Sequence, residues 1–210
     1  MERYRTIAAE AQDEFVEKRS RFIGHVKPVT TEEEAQAFIK AKQKEFWDAK
    51  HNVYAYVLEG GNLCRFSDDG EPQGTAGIPV LDVLRKEGLT DCVVVVTRYF
   101  GGILLGGGGL VRASPHGAKI AVDAAGVVEM RLCLQGEIVC DYGQYGWIPA
   151  LLAEEGATVT GADFGEAVTV TFSIPQEGRG HLEATLTDRS NGRLTASFTG
   201  ESFAPYPVER

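Results

Sequence analysis

The spacing of hydrophobic positions changes period along the chain, and the changes mark out its elements. Residues 4–9, 14–18 and 21–29 alternate in the manner of strands. Thr30 or Thr31 is set to cap a helix whose first turn is Glu32-Glu33-Glu34. Ala35, Phe38, Ile39 and Phe46 then recur at helical spacing to about Trp47. An aromatic alternating run, 52–58, and a strand at 63–66 flank Gly60-Gly61-Asn62, which predicts a hairpin. A helix over 78–86 ends at Gly88, and the run of valines within 91–99 predicts a central strand buried on both faces. A further helix extends to about Ala125, with Gly126 just past its end.

From about residue 131 the order becomes strand (131–141), helix (144–154), strand (158–164), strand (167–174), helix (178–189), strand (193–203), with Gly156, Gly165 and Gly192 at turns. That β-α-β-β-α-β succession is the ferredoxin-like pattern. The predicted organisation is an α+β protein of two domains, 1–131 and 132–210, with 205–210 expected to fray.

Charge separates the same two parts. Residues 1–131 carry a net −2 and residues 132–210 a net −7, with no lysine in the second segment. Such a surface repels phosphate backbones, so nonspecific DNA binding is not expected and any anion site must be local to the first segment. No apolar run approaches the ~18 residues that cross a bilayer, and the polar, acidic start has no signal-peptide core. A soluble cytoplasmic protein is expected, without membrane partners. Cys64, Cys92, Cys133 and Cys140 have no zinc-site spacing and read as free, mostly buried thiols.

Nine of the 25 glycines fall in two motifs. Residues 67–79, SDDGEPQGTAGIP, put Asp68, Asp69 and Glu71 within four positions on a loop before a helix. Carboxylates this close repel unless solvated, paired or bound to a cation. Mg²⁺ would suit them as ligands, and turn and cap chemistry would use them equally well. Residues 98–112, RYFGGILLGGGGLVR, join the buried strand to the next helix. Gly101, Gly102, Gly106, Gly107, Gly108 and Gly109 leave backbone amides open to close approach. The helix start adds a positive dipole end, and Arg98 and Arg112 flank the loop. These are the parts of an anion cradle; tight helix–sheet packing would use the same glycines. Neither a Walker A nor a dinucleotide fingerprint fits the spacing. His51 is a candidate acid or base beside the acidic loop, and Lys18, Arg19 and Ser20 form a basic stretch that could add donors. No Ser/His/Asp or Cys/His arrangement is evident, no catalytic residue is assigned, and no resident cofactor is expected.

Over essentially its full length the chain resembles the YigZ/IMPACT family. The matching stretches are 18–23 (KRSRFI), the histidine segment 49–55, residues 67–79, and 95–113 (VVTRYFGGILLGGGGLVRA). The resemblance implies a first domain like the second domain of ribosomal protein S5. It implies a ferredoxin-like second domain similar to the last domain of elongation factor G. Eukaryotic members act on translation in the amino-acid starvation response and carry an extra RWD domain for which this chain has no room. The implied partners are RNA, the ribosome or a translation-associated protein. An enzyme using Mg²⁺ and a nucleotide, and a ligand-free docking module, are the alternatives. The chain departs from the family after Arg112-Ala113, where Ser114 stands in place of the usual tyrosine and Pro115 follows.

Overall fold

Strand β6 (Cys92–Tyr99) explains the layering of the first half of the protein. Its successive valines point to opposite faces, and each face meets a different helix layer. Val94 and Val96 join the cluster that includes Leu81 and Leu84 of one helix and Leu110 and Ala118 of another. Val93 and Val95 pack with Phe38 and Ile39 of a third. The computed structural model describes residues 2–208 and divides them into two compact units, built from Arg3–Glu129 and Met130–Tyr206.

In the first unit β1 (Arg3–Ile7) is tied to the turn before β6 by Thr90 N–H donating to the Arg5 carbonyl (3.0 Å). The sheet itself is antiparallel throughout, in the order β2 (Ala11–Glu17), β3 (Ser20–Pro28), β6, β4 (His51–Leu58), β5 (Leu63–Ser67). Helix α1 (Glu32–Glu45) lies on one face; α2 (Gly77–Lys86) and α3 (Gly107–Ala125) lie on the other. Thr31 caps α1 by accepting the Glu34 N–H, and the 59–62 turn closes the β4–β5 hairpin, both as the spacing predicts. Pro115 sits well inside α3, not in an early turn. Its missing N–H leaves one carbonyl of the preceding turn without a helical partner.

The second unit runs β7 (Val127–Cys140), α4 (Tyr142–Tyr145), α5 (Ile148–Glu154), β8 (Thr158–Phe164), β9 (Val168–Pro175), α6 (Arg179–Ser190), β10 (Ala196–Pro207). Its strands lie in the order β10-β7-β9-β8, with β7 and β8 both antiparallel to β9. Ile148, Leu151, Leu182 and Leu186 close the core over Val170 and Phe172. The helix expected over 144–154 is broken in two. Asp141 and Gln144 form a capping box around a single turn, and Pro149, lacking an N–H, begins the next helix. The end expected to fray is in strand through Pro207; residues 209 and 210 lie outside the described residues. All four cysteines are free, three of them buried.

Candidate functional site

The two glycine-rich motifs meet. The antiparallel register of β4 and β6 sets His51 opposite Arg98. The 67–79 loop folds back beside that pair, and the residues before α3 close the other side. Between them lies a cavity of about 390 Å³ lined by His51, Glu71 and Arg98, by Lys50, by Phe100, Leu104 and Leu105, and by Gly106 and Gly107. Among the residues expected at a site, the register thus brings together members of three separate segments.

Each carboxylate of the acidic loop has a donor within the first unit. The Asp68 carboxylate accepts N–H bonds from Gly74 (2.8 Å), Ala76 (3.1 Å) and Gly77 (2.8 Å), the last two at the start of α2. Burial would raise this carboxyl, but the three donors hold it below the usual carboxylate range. Asp69 accepts the Asn52 N–H (2.6 Å) through its side chain. Of the two uses open to Asp68 and Asp69, both side chains serve backbone amides, as in the turn-and-cap alternative. No group of three or more His, Cys, Asp or Glu among the described residues is arranged to hold a metal ion.

Glu71 differs from its neighbours. Its side chain is 4% exposed and accepts from Nη1 of Arg98 at 2.7 Å. Arg98, itself 6% exposed, lies with its guanidinium carbon 5.6 Å from the Phe22 ring centre and 5.7 Å from that of Phe100. Its Nε has no hydrogen-bond partner among the described residues. Arg98 is therefore not the freely exposed fork that the sequence suggests; one arm is committed to Glu71. The other Glu71 oxygen lies 3.7 Å from Nε2 of His51. His51 Nδ1 is 2.7 Å from the Asp69 carbonyl oxygen. A carbonyl only accepts, so Nδ1 carries the proton and Nε2 is the nitrogen turned toward Glu71.

The glycine loop combines packing with exposure. Gly101 is architectural, because a Cβ there would stand 2.0 Å from the Arg19 carbonyl oxygen. Ser20, wholly buried, accepts the Gly101 N–H (3.3 Å) and so pins this loop from within; it does not face solvent as a ligand donor. Gly109 packs on Leu105. Gly106, at φ +72°, turns the chain into α3, and the Gly109 and Leu110 N–H groups both return to its carbonyl (3.1 Å each). Gly107 and Gly108 are exposed, and no side chain caps the helix. Their amides are among those a helix leaves unpaired at its N-terminus. The Arg112 guanidinium reaches over this turn, 3.9 Å from where a Gly108 Cβ would stand. A cation at the positive end of a helix is misplaced unless an anion joins it.

Lys18 and Arg19 form the two-residue β2–β3 turn, at φ 45° and 66°. A left-handed backbone costs ~1–2 kcal/mol at each such residue. Both are exposed, and the Arg19 backbone abuts Gly101. The basic turn and the glycine loop are thus held against one another. Sequence reasoning missed Lys50 and the apolar wall of Phe100, Leu104 and Leu105; the only signal was the placing of bulky residues inside a glycine run. Leu104 is 82% exposed.

Comparison with known proteins places this arrangement. Residues 18–122 match the Impact N-terminal domain, and residues 138–193 match a domain of unknown function, DUF1949. The chain is 39% identical over 191 residues to IMPACT family member YvyE of Bacillus subtilis, covering 90% of this chain and 88% of that one. It is 35% identical over 180 residues to IMPACT family member YigZ of Escherichia coli, covering 84% and 88% respectively. The protein IMPACT homolog of Dictyostelium discoideum matches over 96 residues at 41% identity, 43% of this chain and 27% of its own length. A crystal structure of a hypothetical protein superposes with a TM-score of 0.61 at 33% identity, covering 95% of this chain and 98% of that one. Both motifs, and the cavity they enclose, lie inside the matched 18–122 segment: this chain belongs to the IMPACT family.

Proposed function

We propose that the protein is a translation-linked binding protein that takes RNA phosphates, on the ribosome or free, at the start of α3. The observation that carries this reading is the exposed, uncapped Gly107–Gly108 turn beside a cavity lined by the almost wholly buried Arg98. Helix N-termini of this kind favour phosphate oxygens. Arg112, Lys50, Lys18 and Arg19 supply exposed cations in the same unit, and Phe100 and Leu104 offer a face for a base. We read the first unit as the fold of ribosomal protein S5 domain 2 and the second as ferredoxin-like. The β10-β7-β9-β8 order supports the latter. Its net −7 over residues 132–210 disfavours RNA there and suits a protein contact.

The test is fluorescence anisotropy with single-stranded RNA between 50 and 200 mM salt, using wild type and Gly107→Asp. Gly107 has helical backbone and room for a side chain, the nearest atom to a Cβ being Thr75 Cγ2 at 3.7 Å. An aspartate there suits the helix dipole and stabilises the fold by about 0.3–1 kcal/mol. Binding that weakens steeply with salt in wild type and is lost in the more stable variant supports the reading. No binding by wild type at low salt refutes it.

A second reading, an enzyme acting on a phosphorylated small molecule, is favoured by one observation: the Asp69 carbonyl fixes the His51 tautomer and leaves Nε2 at the cavity as a candidate base. A thermal-shift screen of nucleotides with and without Mg²⁺ would show stabilisation on this reading.

A further inference from the structure

We propose that Arg3, Arg5 and Arg85 form a second phosphate-binding site, at the opposite end of β4 from the glycine-rich loop. These three side chains line a separate concavity of about 360 Å³ in the first unit, with Gly60, Gly61 and Gly88 among its other walls. All three arginines are exposed. Arg21 is paired with Glu14, Lys27 with Glu10, Arg65 with Glu32 and Lys119 with Glu87 and Asp123, whereas the exposed Lys18, Arg19, Lys50 and Arg112 of the α3 site have no carboxylate partner among the described residues. Among the described residues no carboxylate lies at ion-pair distance from Arg3, Arg5 or Arg85. In a chain of net charge −9, three guanidinium groups without a carboxylate partner thus line one hollow.

The local fold explains why they converge. Strand period puts Arg3 and Arg5 on one face of β1. The Arg5 carbonyl accepts from Thr90, and Arg5 bridges Leu89, so β1 is held against the turn that leaves α2. Arg85 projects from the last turn of that helix. Part of the wall between them is bare backbone, at Gly60, Gly61 and Gly88; Tyr4, Val57, Cys64, Leu89 and Thr90 complete the lining. Gly61 and Gly88 have positive φ, and a Cβ on either would meet nothing within 4 Å. Planar guanidinium forks around such a hollow suit a tetrahedral oxyanion with several acceptor oxygens, which is the chemistry of phosphate. The source is either a small phosphate compound or a nucleic-acid backbone. Six residue steps of β4, from His51 at the first cavity to Val57 at this one, amount to roughly 20 Å.

The test uses the full chain carrying Gly107→Asp, which disables the α3 site and leaves these residues untouched. Inorganic pyrophosphate and a single-stranded RNA are titrated separately by calorimetry and by NMR of the arginine Nε–H signals. The expected result is saturable binding of at least one probe with movement of the Arg3, Arg5 and Arg85 signals. Each Arg→Gln change should weaken it about ten-fold or more, and Arg85→Lys by an intermediate factor, since lysine keeps charge but not the fork. Binding of pyrophosphate alone identifies a small phosphate compound, and binding of RNA alone identifies a backbone site. If neither probe binds, or the Arg→Gln variants bind like their parent, the proposal fails. The outcome at Gly107 in otherwise unaltered protein decides the α3 reading separately.

Discussion

Replacing Glu71 with glutamine tests the buried chain at the cavity. Glutamine keeps the shape and an acceptor oxygen but removes the charge, leaving the enclosed Arg98 guanidinium without a countercharge. Both side chains are more than nine-tenths buried and meet at 2.7 Å, so solvent screens little. Two unit charges ~4 Å apart at an effective dielectric of ~20 interact by about 4 kcal/mol. Breaking a buried pair from one side costs about 3–5 kcal/mol. A loss of about 3 kcal/mol is expected in the first unit. Amide hydrogen exchange reads it without assuming that the two units unfold together. Val94 and Val95 of β6 should exchange about 100-fold faster, while Val170 and Phe172 of β9 in the second unit remain at the wild-type rate. Adding Arg98→Met should restore part of the loss, because it removes the stranded cation. Exchange at β6 within three-fold of wild type, or a double variant less stable than Glu71→Gln alone, would refute the reasoning.

Other perturbations reach different parts of the account. Gly24→Ala would set a Cβ 2.0 Å from the Gly117 carbonyl oxygen, backbone against backbone, and should cost about 3 kcal/mol or more in thermal unfolding. His25 is buried, its Nδ1 has no partner among the described residues, and its pKa is depressed to about 4, by burial first and then by Lys42. It folds neutral, whereas the unfolded chain takes up a proton near pH 6.5. Its contribution is therefore full above pH 6.5 and falls away as the pH drops toward 4, by about 3 kcal/mol in all. His25→Gln should flatten that part of the stability–pH curve.

Much of the fold is legible in the sequence because local signals agree with the final packing. The valine run of β6 announces a strand buried on both faces, and Thr31 with its acidic turn announces the start of α1. The 144–154 helix is misread because Pro149 fits an early helix position as well as an interior break, and only the Asp141 capping box decides between them. The candidate site is legible as composition but not as pairing. Nothing local distinguishes Asp68 and Asp69, which serve backbone amides, from Glu71, which crosses to Arg98 twenty-seven residues away. That difference arises from the β4–β6 register, a long-range property. The same holds for Ser20, which lies in a basic surface stretch yet points inward to Gly101.

The central claim is that the first turn of α3 receives phosphate through its own backbone. Titrating ¹⁵N-labelled protein with inorganic phosphate, at constant ionic strength, measures this at the atoms concerned. The Gly107 and Gly108 amide protons should move downfield together along a single saturation curve, and Gly107→Asp should abolish the shift. Amides that stay fixed up to millimolar phosphate would contradict the account, whatever else in the protein responds.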